Sequence, residues 1–155
     1  MVQQFGREFS VASRARTICD EIRERMDFHP PSRKRSLVLV WRHPYMTAAP
    51  GTYVHHICAF FGFDGCVVED AIRYPEIAPQ TIQSIDPEVV LLPDEPYPFQ
   101  PKHIDEFCQT FPQLRAVRNN KLALFNGQYL TWFGYGTLRA LREFPAIAEE
   151  NRLWM

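Results

Sequence analysis

Apolar runs alternate with segments of helical periodicity along most of this chain. Four short apolar runs predict buried β-strands at about 36–41, 66–68, 89–92 and 122–125. Apolar residues at three- and four-residue steps predict a helix at about 10–27 before the first strand, with Ser10 as its N-cap. The order of elements predicts an α/β fold: a three-layer sandwich in which a mainly parallel sheet is flanked by helices.

The connecting segments carry recognisable helix starts and stops. Thr52 is a predicted N-cap for a helix that ends at Gly62, and Pro79 and Pro101 suit the first turns of the next two helices. A last helix is expected at about 135–144, and a short strand near Val117.

Length and spacing predict one compact unit. We expect an N-terminal segment with the first helix (1–30), a single α/β lobe (35–145) and a tail (146–155) that either frays or packs on a neighbour. The hydrophobic fraction of 46% and charged fraction of 23% are typical of a globular protein.

Charge and hydropathy narrow the classes of partner. A formal net charge of -1 gives no reason to expect nucleic acid, and no apolar run approaches the ~20 residues that span a bilayer. The first residues lack the apolar segment of a secretion signal, which predicts a cytoplasmic chain as written.

The four cysteines show no metal-binding spacing, and His55 with Cys58 is better explained as a surface histidine and a core thiol.

Each predicted strand is followed by a loop rich in aromatic and charged residues. The carboxyl ends of parallel strands meet at one rim, where ligands of open α/β sheets bind. We therefore predict a small-molecule cleft there. Its candidate residues are Arg42, His43, Pro44, Tyr45, Met46, Tyr74, Asp94, Glu95, Trp132 and Phe133.

Each candidate has a structural alternative. Tyr45 and Met46 either contact a ligand or fill the top of the core. The rings of Tyr74 and Trp132 either line the cleft or pack within the fold. Asp94 and Glu95 resemble an acid–base pair but lie among prolines, which favours shaping of the rim. No nucleophile–base set is present, so no enzyme is predicted. No metal site is predicted, although His43 is a candidate axial ligand.

The motifs resemble one family when taken in order. Trp41-Arg42-His43-Pro44-Tyr45-Met46-Thr47, Arg73-Tyr74-Pro75-Glu76-Ile77 and the stretch from Asp86 to Phe99 are similar to those of the helical-backbone metal receptors. These are the substrate-binding proteins that deliver vitamin B12, haem and ferric siderophores to ABC importers. The resemblance covers about 10–145. It implies no intrinsic cofactor and a cobalamin, haem or ferric siderophore as ligand.

The resemblance extends to only one of the family's two lobes. It implies that the first helix is the end of the helix joining the lobes and that a first lobe is absent. A periplasmic location would follow if the chain is a fragment of an exported receptor. Half a cleft predicts either a homodimer or a separate chain supplying the first lobe.

The resemblance also concerns contact with the transporter. The family's permease-docking glutamate corresponds to Gln80, which cannot form the charged pair. An ABC permease is therefore a doubtful partner unless Glu76 substitutes.

Three functions stay open from the sequence. The first is a ligand-binding lobe, and the second is a repurposed single-lobe interaction protein without a metal-complex ligand. The third is a small cytosolic metal-dependent enzyme using His43, Asp94 and Glu95.

Overall fold

The chain folds into alternating strands and helices. A computed structural model describes residues 2–67, 72–132 and 134–155. The strands are β1 (Lys34–Trp41), β2 (Met46–Thr47), β3 (Phe63–Gly65), β4 (Val89–Pro93) and β5 (Leu122–Phe125). The helices are α1 (Val2–Glu8), α2 (Ala12–Arg25), α3 (Tyr53–Phe60), α4 (Pro79–Ile85), α5 (Pro101–Thr110), α6 (Arg115–Arg118), α7 (Gln128–Thr131) and α8 (Tyr135–Glu150).

One mainly parallel sheet organises the fold. Its order is β2-β1-β4-β5, and β3 pairs with the beginning of β1. β3, β4 and β5 run parallel to their partners, whereas β2 returns antiparallel to the end of β1. The carboxyl ends of β1, β4 and β5 therefore meet at one rim, as predicted.

Strand alternation divides the core into two layers. In β1, Val38 and Val40 join the cluster formed with α3 and α8, while Leu37 and Leu39 join the cluster formed with α4 and α5. β4 alternates in the same way, since its residues are buried on both faces. The prediction of a three-layer α/β sandwich is confirmed.

Two predicted strands are wrong. The strand near 66–68 lies instead at β3, where Phe63 is fully buried and 63–65 pair with 34–36; residue 68 lies outside the described residues. The segment around Val117 is α6, one helical turn that buries Ala116.

The first predicted helix differs at its N-terminal end. α2 begins at Ala12 with Val11 as its N-cap, and Ser10 has a φ of 56° in the turn after α1, a helix that was not predicted. α1 packs on α2, and the Arg142 Nε of α8 donates to Glu21 of α2 at 2.6 Å.

The chain end packs on its own core. α8 continues through Pro145 to Glu150, beyond the predicted end at 144, because its last turns still bury Ala148. Leu153 and Trp154 are buried, and the Trp154 indole N–H donates to the Phe61 carbonyl at 2.9 Å. Leu153 and Trp154 thus pack on the chain's own core, while Met155 is exposed. The division 1–30, 35–145 and 146–155 stays a prediction.

Within the described residues, no helix is long and apolar enough to cross a bilayer.

Candidate functional site

An apolar cleft of about 370 Å³ lies at the rim formed by the strand ends. Its lining comes from the end of β1, from β2, α3 and α7, and from the loops that follow β3 and β4. The lining residues are Val40, Trp41, Met46, Val54, Tyr74, Pro96 and Thr131. All seven are uncharged, so the cleft suits an apolar surface more than an ion.

The segment before α4 is held against β2 by backbone hydrogen bonds. The N–H of Thr47 donates to the Pro75 carbonyl at 3.1 Å, and the N–H of Ala49 donates to Arg73 at 3.0 Å. The N–H of Ile77 donates to Tyr45 at 2.8 Å. These bonds hold the segment at the sheet edge, where Met46 forms an isolated antiparallel bridge with Glu76, and both Met46 and Tyr74 line the cleft.

Asp94 joins the loops after β4 and β5. Its Oδ1 accepts from the backbone N–H of Gly127 at 2.7 Å. A Cβ at Gly127 would lie 2.6 Å from the Glu95 nitrogen, so only glycine permits this approach. The rim-shaping interpretation of Asp94 and Glu95 therefore agrees with their contacts, and Pro96 is placed in the cleft wall.

Arg42 and Tyr45 are anchored beneath the rim. Arg42, whose side chain is only 16% exposed, forms an ion pair with Glu106 of α5. The Tyr45 ring packs on Phe107 and Phe111, each at 6.0 Å between ring centroids. Burial raises the pKa of the Tyr45 hydroxyl, against the opposing effect of the neighbouring Arg42.

Tyr45 and Met46, which are neighbours in the sequence, have different surroundings in the structure. Tyr45 is half-buried and packs against the apolar cluster under the rim. Met46 lines the cleft. A ligand-binding role for either residue stays a prediction.

Three aromatic side chains stand half-exposed at or beside the cleft. Trp41 and Tyr74 line it and are each 41% exposed, and Trp132, next to the lining residue Thr131, is 56% exposed. The Trp41 ring meets Tyr97 edge-on at 5.5 Å. Such rings offer apolar faces for a planar ligand. Phe133 lies outside the described residues.

The remaining candidates lie on the exposed surface. His43 and Pro44 occupy the exposed turn between β1 and β2, with the His43 ring 6.4 Å from that of Tyr45. Glu76 and Gln80 are exposed just before and in the first turn of α4.

The side chains that could bind a metal ion lie apart from one another in the part of the chain that the structure describes. No three His, Cys, Asp or Glu side chains there form a group that could hold a metal ion. Cys58 is fully buried, and burial raises the pKa of its thiol, as expected of a core cysteine. Burial and the neighbouring His56 lower the pKa of His55.

Sequence reasoning missed five of the seven lining residues. Val40, Trp41, Val54, Pro96 and Thr131 were not chosen as site residues. Trp41 carried a usable signal, because a tryptophan at the carboxyl end of a buried strand stands where ligands bind. The sequence gives no such signal for Val54 and Thr131, because each lines the cleft only as a result of how its helix packs on the sheet.

Solved structures of binding proteins share this architecture. The haem-binding protein BhuT, solved with two haems, matches with a TM-score of 0.75 at 14% identity, over 97% of this chain and 60% of its own. The chain shares its fold with part of that protein. The vitamin B12-binding protein BtuF of Vibrio cholerae matches with a TM-score of 0.68 at 16% identity, over 92% of this chain and 54% of its own.

A third match concerns iron transport. The Fe3+-hydroxamate transport system protein from Saccharomonospora viridis matches with a TM-score of 0.69 at 19% identity, over 96% of this chain and 52% of its own. The chain thus spans just over half the length of these proteins, and the expected likeness to one part of such a receptor is confirmed at the level of fold. No protein-family model matches the sequence. No curated protein matches it either.

Proposed function

We propose that this chain is a ligand-binding lobe for a metal complex of the cobalamin, haem or ferric siderophore type. The observation that carries the proposal is the uncharged cleft at the carboxyl ends of β1, β4 and β5. A planar macrocycle buries apolar area on both faces and edges, and half-exposed indole and phenol rings complement such surfaces. The solved structures with this fold include proteins that bind haem and vitamin B12.

The lobe contributes contact surface in this proposal. His43 is the candidate for direct coordination, since its ring is exposed at the rim, but it lies outside the residues that line the cleft. Recognition therefore depends on the rings of Trp41 and Tyr74, which line the cleft, while Asp94 fixes the loop that carries Pro96.

Titration with cyanocobalamin, haemin and a ferric hydroxamate tests the proposal through absorbance of the ligand and quenching of tryptophan fluorescence. Binding of at least one compound, weakened about tenfold by Tyr74→Ala, is expected because the loss of an aromatic contact in the cleft costs about 1.4 kcal/mol. Phe9→Ala is the matched control, since Phe9 is an exposed aromatic residue in the turn after α1 and is not among the residues that line the cleft. Absence of any response at high micromolar ligand would contradict the proposal.

Contact with an ABC permease is a separate proposal. Glu76 and Gln80 are both exposed near the start of α4, where a partner could reach them. If this surface docks on arginines, Gln80→Glu should strengthen binding to a permease of this class through a charge-assisted hydrogen bond. An unchanged affinity would remove Gln80 from that role.

The alternative of an interaction protein without a ligand is favoured by one observation. Phe5 and Phe9 of the α1 segment are exposed and stack at 6.4 Å between ring centroids, outside the cleft. Exposed apolar groups of this kind mark contacts with other chains. A ligand-independent complex that is lost in Phe9→Glu would support this alternative.

A further inference from the structure

A second cavity, of about 500 Å³, lies at the opposite end of the sheet from the cleft. It is bounded by the amino ends of three parallel strands: Lys34 begins β1, Val89 begins β4, and Lys121 directly precedes β5. None of its lining residues lines the cleft, so the two cavities are separate. The remaining lining residues are Glu88, Arg115, Asn119, Leu153 and Met155.

The lining of this cavity carries an excess of positive charge. Lys34, Arg115 and Lys121 are its cations, and Glu88 is its one carboxylate among the described residues, which leaves two positive charges in excess. Asp86, the ion-pair partner of Arg115, lies outside the lining, and counting it lowers the excess to one. Because the whole chain has a formal net charge of -1, this positive potential is a local feature that favours an anion.

The two lysines keep hydrogen-bond donors for a ligand. The Lys34 ammonium group donates to the backbone oxygen of Met155 at 3.0 Å, and that of Lys121 donates to the Arg152 carbonyl. Neither lysine forms a salt bridge with a described residue. Since an ammonium group carries three N–H donors, each can donate to a further acceptor in the cavity.

The lysines stand on a rigid part of the fold. The backbone N–H of Lys34 donates to Gly62 at 2.8 Å, and the backbone N–H of Lys121 donates to Ala116 at 2.7 Å. Both side chains are partly buried, which strengthens their electrostatic interaction with a bound anion. The positions of the two charges are therefore fixed before any ligand binds.

We propose that this cavity binds a small molecule through a phosphate group, which Lys34, Lys121 and the Asn119 amide hold by hydrogen bonds. Ammonium groups on separate elements act as point charges and can reach a tetrahedral anion from different directions. A phosphate group carries a charge of about -1.5 to -2 at pH 7, which is comparable to the excess positive charge of the lining. The inference goes beyond the proposed function and does not depend on the cleft.

Arg115 makes a carboxylate ligand less suitable. Its Nε and one terminal nitrogen donate to Asp86, each at 2.7 Å. The guanidinium fork that pairs with a planar carboxylate through two parallel hydrogen bonds is therefore already occupied. The donors that remain are mainly the ammonium groups, which suit phosphate.

Titration of the full chain with inorganic phosphate at fixed ionic strength, followed by phosphorus NMR, tests the inference. We expect one phosphate per chain, with affinity reduced about tenfold by Lys34→Gln or Lys121→Gln, because each loses a charge-assisted hydrogen bond. Lys34→Arg, which keeps the charge, should retain binding. Lys102→Gln is the matched control, since Lys102 is an exposed lysine of α5 outside the lining.

The contrary outcomes are distinct. No binding of phosphate, or an equal loss in Lys102→Gln and the two cavity variants, would overturn the site. Succinate binding as tightly as phosphate at the same ionic strength would overturn the phosphate class. Urea unfolding checks that each variant is folded, and Lys34→Arg still tests the site if a glutamine variant is not. Binding of haemin or cyanocobalamin should be unchanged in these variants, so either proposal can fail while the other stands.

Discussion

Gly127 offers the sharpest test of how the cleft is built. Its φ of -62° and ψ of -21° are backbone angles that alanine adopts readily. If there were space for a Cβ, Gly127→Ala would therefore stabilise the protein by about 0.5 kcal/mol, because alanine lowers the conformational entropy of the unfolded chain. The added Cβ would instead lie 2.6 Å from the nitrogen, 2.7 Å from the Cβ and 2.8 Å from the carbonyl oxygen of Glu95. Two of these atoms are backbone, so the loop itself must move.

The expected cost follows from these contacts. Overpacking costs about 1–3 kcal/mol, and separating the loops also weakens the hydrogen bond from Gly127 to Asp94, which contributes about 1 kcal/mol. After the gain from alanine, we expect a net loss of about 2 kcal/mol in the free energy of unfolding. For a chain of this size the melting temperature should fall by about 6 °C. Ligand affinity should also fall, because Pro96 moves with the loop.

Urea unfolding followed by circular dichroism measures the loss. Gly51→Ala is the control: Gly51 has a φ of 81° but no neighbour within 4 Å, so it should cost about 1 kcal/mol from backbone strain without changing ligand affinity. A Gly127→Ala protein as stable as the wild type would refute the close approach of the two loops. The proposed arrangement of the cleft would then lose its support.

Two further predictions concern α5, which supports the rim. Glu106→Gln should lower the free energy of unfolding by about 2 kcal/mol, because the largely buried Arg42 loses its carboxylate; an unchanged urea midpoint would show that this pair contributes nothing. The Nδ1 of His103 accepts the Gln100 N–H at 2.9 Å, and burial, aided by nearby cations, lowers its pKa. His103 therefore binds a proton more readily in the unfolded chain than in the folded protein. The stabilisation that the neutral His103 side chain contributes is complete above about pH 6.5 and is lost as the pH falls below that value. His103→Ala should flatten that part of the stability–pH curve, and a curve that keeps the wild-type slope would count against this role of His103.

The local hydrophobic pattern predicts the central strands β4 and β5 correctly. It does not predict β3, whose position depends on pairing with a distant strand. β4 and β5 are continuous apolar runs bounded by turn residues, so their positions follow from the sequence. β3 is Phe63-Asp64-Gly65, a weaker local pattern than the apolar run just after it. Its register depends on 34–36, about 29 residues away, which no local pattern contains.

The position of the site followed from topology, whereas its lining did not. Parallel strands place their following loops at one rim, and this argument together with the family resemblance singled out Met46 and Tyr74, which line the cleft. Tyr45 was equally well placed by that argument, yet it packs on Phe107 and Phe111 of the α5 segment. The direction of a side chain depends on the helix behind it, and the strand pattern contains no information about that helix.

Trp41 shows how a small irregularity creates the binding surface. Successive residues of a regular strand point to opposite faces, so Val40 and Trp41 should not share a pocket. The register between β1 and β2 shifts between Leu39, which pairs with Thr47, and Trp41, which pairs with Met46. Such a shift redirects side chains at strand ends, and here both Val40 and Trp41 line the cleft. Because the shift arises from pairing with a two-residue strand, the local sequence pattern does not show that Val40 and Trp41 both line the cleft.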